Sequence, residues 1–138
     1  MRDTQLEISL LILRLSIAAF LLIWALDKII MPEHARAVFA KFYLLSDLPL
    51  LTLKLLGVAQ LAVILVFGIG LAKTWSYGAI FIMHAVSTIS TYPHIIHPFS
   101  EGRQLLFWAS VPVLAATLSL FLLRDRDRLL TISSVGRS

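Results

Sequence analysis

The chain contains no cysteine, and this absence removes a whole branch of chemistry. Without thiols it forms no disulfide, holds no thiolate-bound metal or iron–sulfur cluster, and carries out no thiol–disulfide exchange. Charge is also scarce: Asp, Glu, Lys and Arg make up 14% of the 138 residues, whereas hydrophobic types make up 59%. This balance lies far from that of a soluble domain and predicts that most of the chain lies in lipid.

The excess of positive charge does not indicate a nucleic-acid partner. The formal net charge is +4, but the lysines and arginines lie scattered at the ends of apolar runs instead of on one polar face. Cations in such positions are typical of membrane anchors. We therefore expect a lipid bilayer as the main partner and no binding of nucleic acid.

Four apolar runs are each long enough to cross a bilayer, because a hydrocarbon core about 30 Å thick needs roughly 20 apolar residues per helix. They predict membrane helices over residues 10–30, 49–72, 75–91 and 104–123. The expected fold is all-α, a four-transmembrane-helix bundle that forms a single membrane domain of residues 1–138. Residues 124–138 are expected to be a polar tail.

The segment of residues 33–43 is shorter and amphipathic. Pro32 precedes it, and Val38, Phe39 and Phe42 share one helical face. The pattern predicts a short interfacial helix between helices 1 and 2.

Lys73 and Thr74 form the only polar break between the second and third apolar runs. The break predicts a tight antiparallel hairpin of these two helices. Gly57 and Gly68 lie in the second run, and glycines in lipid-embedded helices are typical of faces where helices pack closely.

The orientation follows from the basic residues. Arg124, Arg126 and Arg128 cluster after the fourth helix, so the positive-inside rule favours both termini in the cytoplasm.

Several short motifs are similar to those of the DoxX-like family of small four-helix membrane proteins, and the likeness covers most of the chain. They are Leu13-Arg14-Leu15, Asp27-Lys28, Lys54-Leu55-Leu56-Gly57-Val58-Ala59-Gln60 and Phe67-Gly68-Ile69-Gly70-Leu71. The resemblance implies a four-helix bundle in a bacterial inner membrane. For some relatives it also implies an association with quinone-linked sulfur oxidation or with maturation of other redox enzymes.

The chain departs from the family pattern at two places. Gln60 stands where family members often have a glutamate, and Ala25 or Leu26 stands where they often have a glycine.

Gln60 and His84 are expected at one depth in the membrane. Each lies about 11 or 12 residues from the turn between helices 2 and 3, which is roughly 17 Å along a helix. A neutral imidazole there is able to bind a haem iron, a quinone carbonyl or a proton, with Gln60 orienting it. The alternative is an interhelical hydrogen bond that joins the hairpin and contributes about 1 kcal/mol.

Arg14 lies about one turn inside helix 1, so the default expectation is that it extends its guanidinium to the lipid headgroups. The alternative is that Arg14 binds an anion as the third residue of the hypothetical intramembrane site.

The connection before helix 4 carries candidates for a metal site. His94, His97 and Glu101 lie there, and the four-span topology places His34 on the same side. Zinc or copper accepts such ligands, although the spacing matches no compact metal motif, and interfacial loops often carry histidine for other reasons.

Three functions remain open. The first is a non-catalytic accessory or assembly subunit that packs against a larger redox partner and contributes to a quinone pocket, because no nucleophile–base pair is evident. The second is an oxidoreductase that binds haem, copper or quinone through its histidines. The third is a small-solute transporter or channel formed by self-association, although four helices without a carboxylate deep in the membrane or an evident inverted repeat offer little to line or couple a path.

Overall fold

A computed structural model describes residues 3–102 and 104–132, and this part of the chain consists of helices joined by turns, without strands. The elements are α1 (Thr4–Ile30), α2 (Pro32–Phe42), α3 (Leu50–Gly68), α4 (Lys73–Ser90), α5 (Tyr92–Ile96), a 3₁₀ helix (Leu105–Ala109) and α6 (Ser110–Leu122). The all-α class predicted from the sequence is confirmed.

Among the described residues, three segments are long and apolar enough to cross a membrane: Thr4–Ile30, Leu50–Gly68 and Leu105–Leu122, the last of which joins the 3₁₀ helix to α6. Their outer surfaces expose large aliphatic and aromatic side chains that water would not favour. These features fit an integral membrane protein.

Helix α1 begins at Thr4, six residues before the predicted start. Asp3 caps it, since its carboxylate accepts a hydrogen bond from the Leu6 amide at 3.2 Å. Glu7 in the first turn lies where the helix dipole favours negative charge. Residues 4–9, which the prediction placed before the helix, therefore form its first turns.

The helices pack mainly as two pairs, α1 with α3 and α4 with α6. Gly57 explains the first pair, because a Cβ atom there would lie 2.9 Å from both the Ala25 carbonyl oxygen and Ile29 Cγ1. Helices α3 and α4 are joined by a short turn but contact each other less than either pair does. Helices α3 and α4 are thus joined by the predicted short turn, but each packs more closely against another helix, α3 against α1 and α4 against α6.

The chain after α6 folds back across the end of the bundle. The Ile132 amide donates to the Ile69 carbonyl at 3.1 Å, in the turn between α3 and α4. Thr131 lies against Gly70, whose φ of +67° and close neighbour leave no room for a side chain. We call residues 123–132 the return segment. Of the predicted polar tail, residues 133–138 lie outside the described residues.

Candidate functional site

Arg14 lies in the interior of the bundle, with none of its side chain exposed. It stands ten residues after the start of α1, or about 15 Å along the axis. This burial corrects the expectation that Arg14 extends to the lipid headgroups. Because α1 begins at Thr4, Arg14 lies further from the helix end than the predicted boundary had placed it.

The counter-ion of Arg14 is Asp127 of the return segment. Arg14 Nη1 lies 2.6 Å from Asp127 Oδ2, and neither side chain is exposed. Tyr77 of α4 donates its hydroxyl to the same carboxylate oxygen at 2.6 Å. A cation, a carboxylate and a phenol from three parts of the chain therefore form one buried network.

Arg14 also holds the backbone of the return segment. Its Nη2 donates to the carbonyl oxygens of Leu129 and Leu130, at 2.8 and 3.2 Å. Lys73, the first residue of α4, donates its ammonium group to the Asp127 carbonyl. The two cations thus donate to three backbone carbonyls of the return segment. These bonds satisfy carbonyl groups that no helix or sheet pairs, and they hold the segment in place.

Chemically, the network neutralises the charges of Arg14 and Asp127 inside the bundle. Burial of an ion pair costs the hydration free energy of both groups, and only direct hydrogen bonds and the attraction between the charges offset that cost. Within the described part of the chain, Arg14 Nε and Asp127 Oδ1 have no hydrogen-bond partner, so direct bonds offset the lost hydration only in part. The arrangement supports a structural role that is sensitive to the loss of either charge.

The sequence offered little signal for Asp127. It alternates with arginines, as Asp125 does, and such a stretch usually lies in water. The one usable signal was Arg14 itself, because a cation deep in an apolar helix requires a partner.

His84 lies on the buried face of α4 and is 4% exposed. Its Nε2 lies 3.0 Å from the Ser110 carbonyl oxygen at the start of α6. Since a carbonyl oxygen only accepts, Nε2 carries the proton in the neutral ring. The edge of the ring faces Phe20 of α1, with centroids 6.0 Å apart. His84 therefore links α4 to α6.

Gln60 is half-buried on α3 and is not hydrogen-bonded to His84 in the described structure. The expected link across the α3–α4 hairpin is replaced by the link between α4 and α6. Thr88, which follows on the face of His84, donates its hydroxyl to the His84 carbonyl at 2.9 Å. Such bonds within one helix are common in membrane proteins and indicate no ligand.

The described candidate metal ligands do not gather into one group. His34 pairs with Asp27 across the α1–α2 junction, with Nδ1 2.9 Å from both carboxylate oxygens. His94 is buried and stacks on Phe107, with centroids 4.2 Å apart. His97 and Glu101 are exposed. Within residues 3–102 and 104–132, no three His, Asp or Glu side chains lie close enough to hold a metal ion.

The lighter contact between α3 and α4 leaves an apolar groove of about 400 Å³ on the outer surface. Its lining consists mainly of small or branched side chains: Ala62, Val63, Val66, Ala72, Trp75, Ser76 and Ala79. The groove contains neither the Arg14–Asp127 pair nor His84.

Comparisons of the chain with family models, with curated proteins and with solved structures find no match.

Proposed function

We propose that the chain is a four-span integral membrane protein whose spans are α1, α3, α4 and the segment from the 3₁₀ helix to α6. In this topology α2 lies in the interface and both termini face the cytoplasm of a bacterial inner membrane. Helix α4 has 18 residues and packs against α6, so its polar groups turn toward protein and not toward lipid. That packing supports α4 as the fourth span.

Within that membrane, we propose a role as a non-catalytic accessory or assembly subunit of a quinone-linked redox system. The observation that carries this proposal is that the chain itself engages both Arg14 and His84, the charged and titratable groups expected to form an intramembrane site. We therefore assign both groups a structural role in the bundle. The resemblance to the DoxX-like family supplies the redox context.

The broad apolar exterior supports the same role. The groove between α3 and α4 is lined mainly by small or branched side chains, and small side chains allow the close helix contacts by which membrane subunits associate. The partner in this proposal is another membrane protein.

The experiment is affinity purification of the full chain in mild detergent, followed by native mass spectrometry and an absorption spectrum. We expect a redox membrane protein to copurify, and we expect any visible absorption to follow that partner when the two are separated. Recovery of the chain alone would contradict the accessory role. A haem or copper band that stays with the chain and disappears in His84→Ala would instead establish the oxidoreductase alternative.

A further inference from the structure

Basic side chains collect at the end of the bundle that holds the α3–α4 turn and the return segment. We define the arginine face as Lys73, Arg124, Arg126 and Arg128. Arg126 and Arg128 are exposed. Arg124 is half-buried, and its Nε lies 3.3 Å from the hydroxyl of Thr74, which joins the return segment to the first turn of α4.

The fold makes this face more positive than the sequence suggests. Residues 124–128 alternate Arg and Asp, so their charges nearly cancel in the sequence. In the structure Asp127 turns inward to neutralise Arg14, and its charge no longer offsets the arginines beside it. Glu7, at the same end, is buried as well.

The described part of this end therefore carries four cationic side chains and only two exposed carboxylates, those of Asp3 and Asp125. The opposite end is balanced among the described residues. Its four cations and four carboxylates are Lys28, Arg36, Lys41, Lys54, Asp27, Glu33, Asp47 and Glu101. Two of its acids are engaged locally, Glu33 by Arg36 at 2.5 Å and Asp27 by His34.

Large apolar side chains stand beside the arginine face. Trp75 is 82% exposed in the first turn of α4, and Leu130 is 79% exposed in the return segment. The Leu130 backbone has a φ of +48°, and its carbonyl is held by Arg14. Tryptophan is typical of the membrane–water interface, and basic residues beside apolar anchors are typical of surfaces that bind anionic lipid.

The excess of positive charge at this end complements the negative charge of anionic lipid headgroups. We infer that the arginine face binds the headgroups of anionic phospholipids in the adjoining leaflet. The bonds from Arg14 and Lys73 fix the return segment, so the arginines are presented on a folded surface and not on a loose tail. The inference rests on the membrane-embedded bundle proposed above and does not depend on the redox partner.

The test uses a variant in which Trp75 is the only tryptophan, made by Trp24→Phe and Trp108→Phe. It is placed in nanodiscs of phosphatidylcholine with a minor fraction of phosphatidylglycerol, and either lipid carries bromine to quench fluorescence. We expect brominated phosphatidylglycerol to quench Trp75 about two- to fivefold more than its mole fraction predicts. Arg126→Gln with Arg128→Gln should return quenching to the mole-fraction value.

The matched controls lie at the other end of the bundle. Lys41→Gln with Lys54→Gln removes the same charge there and should leave Trp75 quenching unchanged. A second variant that keeps only Trp108 should show no preference for the anionic lipid. Quenching of Trp75 at the mole-fraction value in the parent protein would overturn the inference, whereas absence of quenching by either lipid would show that the bundle itself is not embedded.

Discussion

Asp127 lies 113 positions after Arg14 in the chain, yet its carboxylate forms a 2.6 Å ion pair with the Arg14 guanidinium inside the bundle. The pair joins the first helix to the segment that follows the last one. It also accounts for the path of the return segment, because two further carbonyls of that segment bind the same guanidinium.

Asp127→Asn should lower the free energy of unfolding by about 3 to 5 kcal/mol, because it leaves the buried Arg14 charge without a counter-ion. The measurement is thermal or denaturant unfolding of the detergent-solubilised protein. Asp125→Asn is the matched control, since Asp125 is exposed two positions earlier. Equal stability of the two variants would contradict the importance of the pair.

Replacement of both charges, Arg14→Leu with Asp127→Leu, should recover most of the stability that either single replacement loses. Apolar side chains in place of a buried ion pair remove the desolvation penalty of both groups. Unfolding of the two single variants and the double variant tests this in one cycle. Additive losses in the double variant would show that the two residues act independently.

Tyr77→Phe should lower the free energy of unfolding by about 1.5 to 3 kcal/mol, because the variant loses a hydrogen bond to a buried carboxylate. Tyr92→Phe provides the control, since Tyr92 is 57% exposed. If the two phenylalanine variants unfold alike, the Tyr77 hydroxyl contributes nothing to the network.

His84→Leu should lower the free energy of unfolding by about 1 kcal/mol through loss of the bond to the Ser110 carbonyl. Gln60→Leu should change stability little, because Gln60 does not share that bond. Comparable losses in both variants would instead favour a direct His84–Gln60 interaction across the hairpin. Unfolding in the same detergent measures both.

Gly57→Ala should lower the free energy of unfolding by about 1 to 3 kcal/mol, because the added methyl group would force α1 away from α3. This cost exceeds the gain in helix propensity, which is about 1 kcal/mol at most. At Gly68 the nearest atom to an added Cβ is 3.9 Å away, so Gly68→Ala should be neutral or slightly stabilising. A reversed order of the two variants would contradict the packing of α1 on α3.

The predicted helices lie close to those in the structure because long apolar runs are a strong signal and are interrupted at Pro32, at Lys73 and around Pro93. The sequence was less able to predict which side chains bond to each other. His84 and Gln60 share a predicted depth, but depth does not specify which helix faces which, and His84 bonds to α6 instead. The candidate metal ligands were predicted on one side of the bundle, but no three of the described ones lie close enough together to hold a metal ion.

The sequence by itself determined the all-α class and the approximate positions of the helices, because long apolar runs and the polar breaks between them are local features of the chain. Only the tertiary structure decided which charges lie inside. Asp125 and Asp127 are the same residue type in nearly the same local sequence, and one is exposed while the other is buried against Arg14. That choice depends on a partner more than 100 residues away, whose uncompensated charge makes inward rotation of one carboxylate favourable.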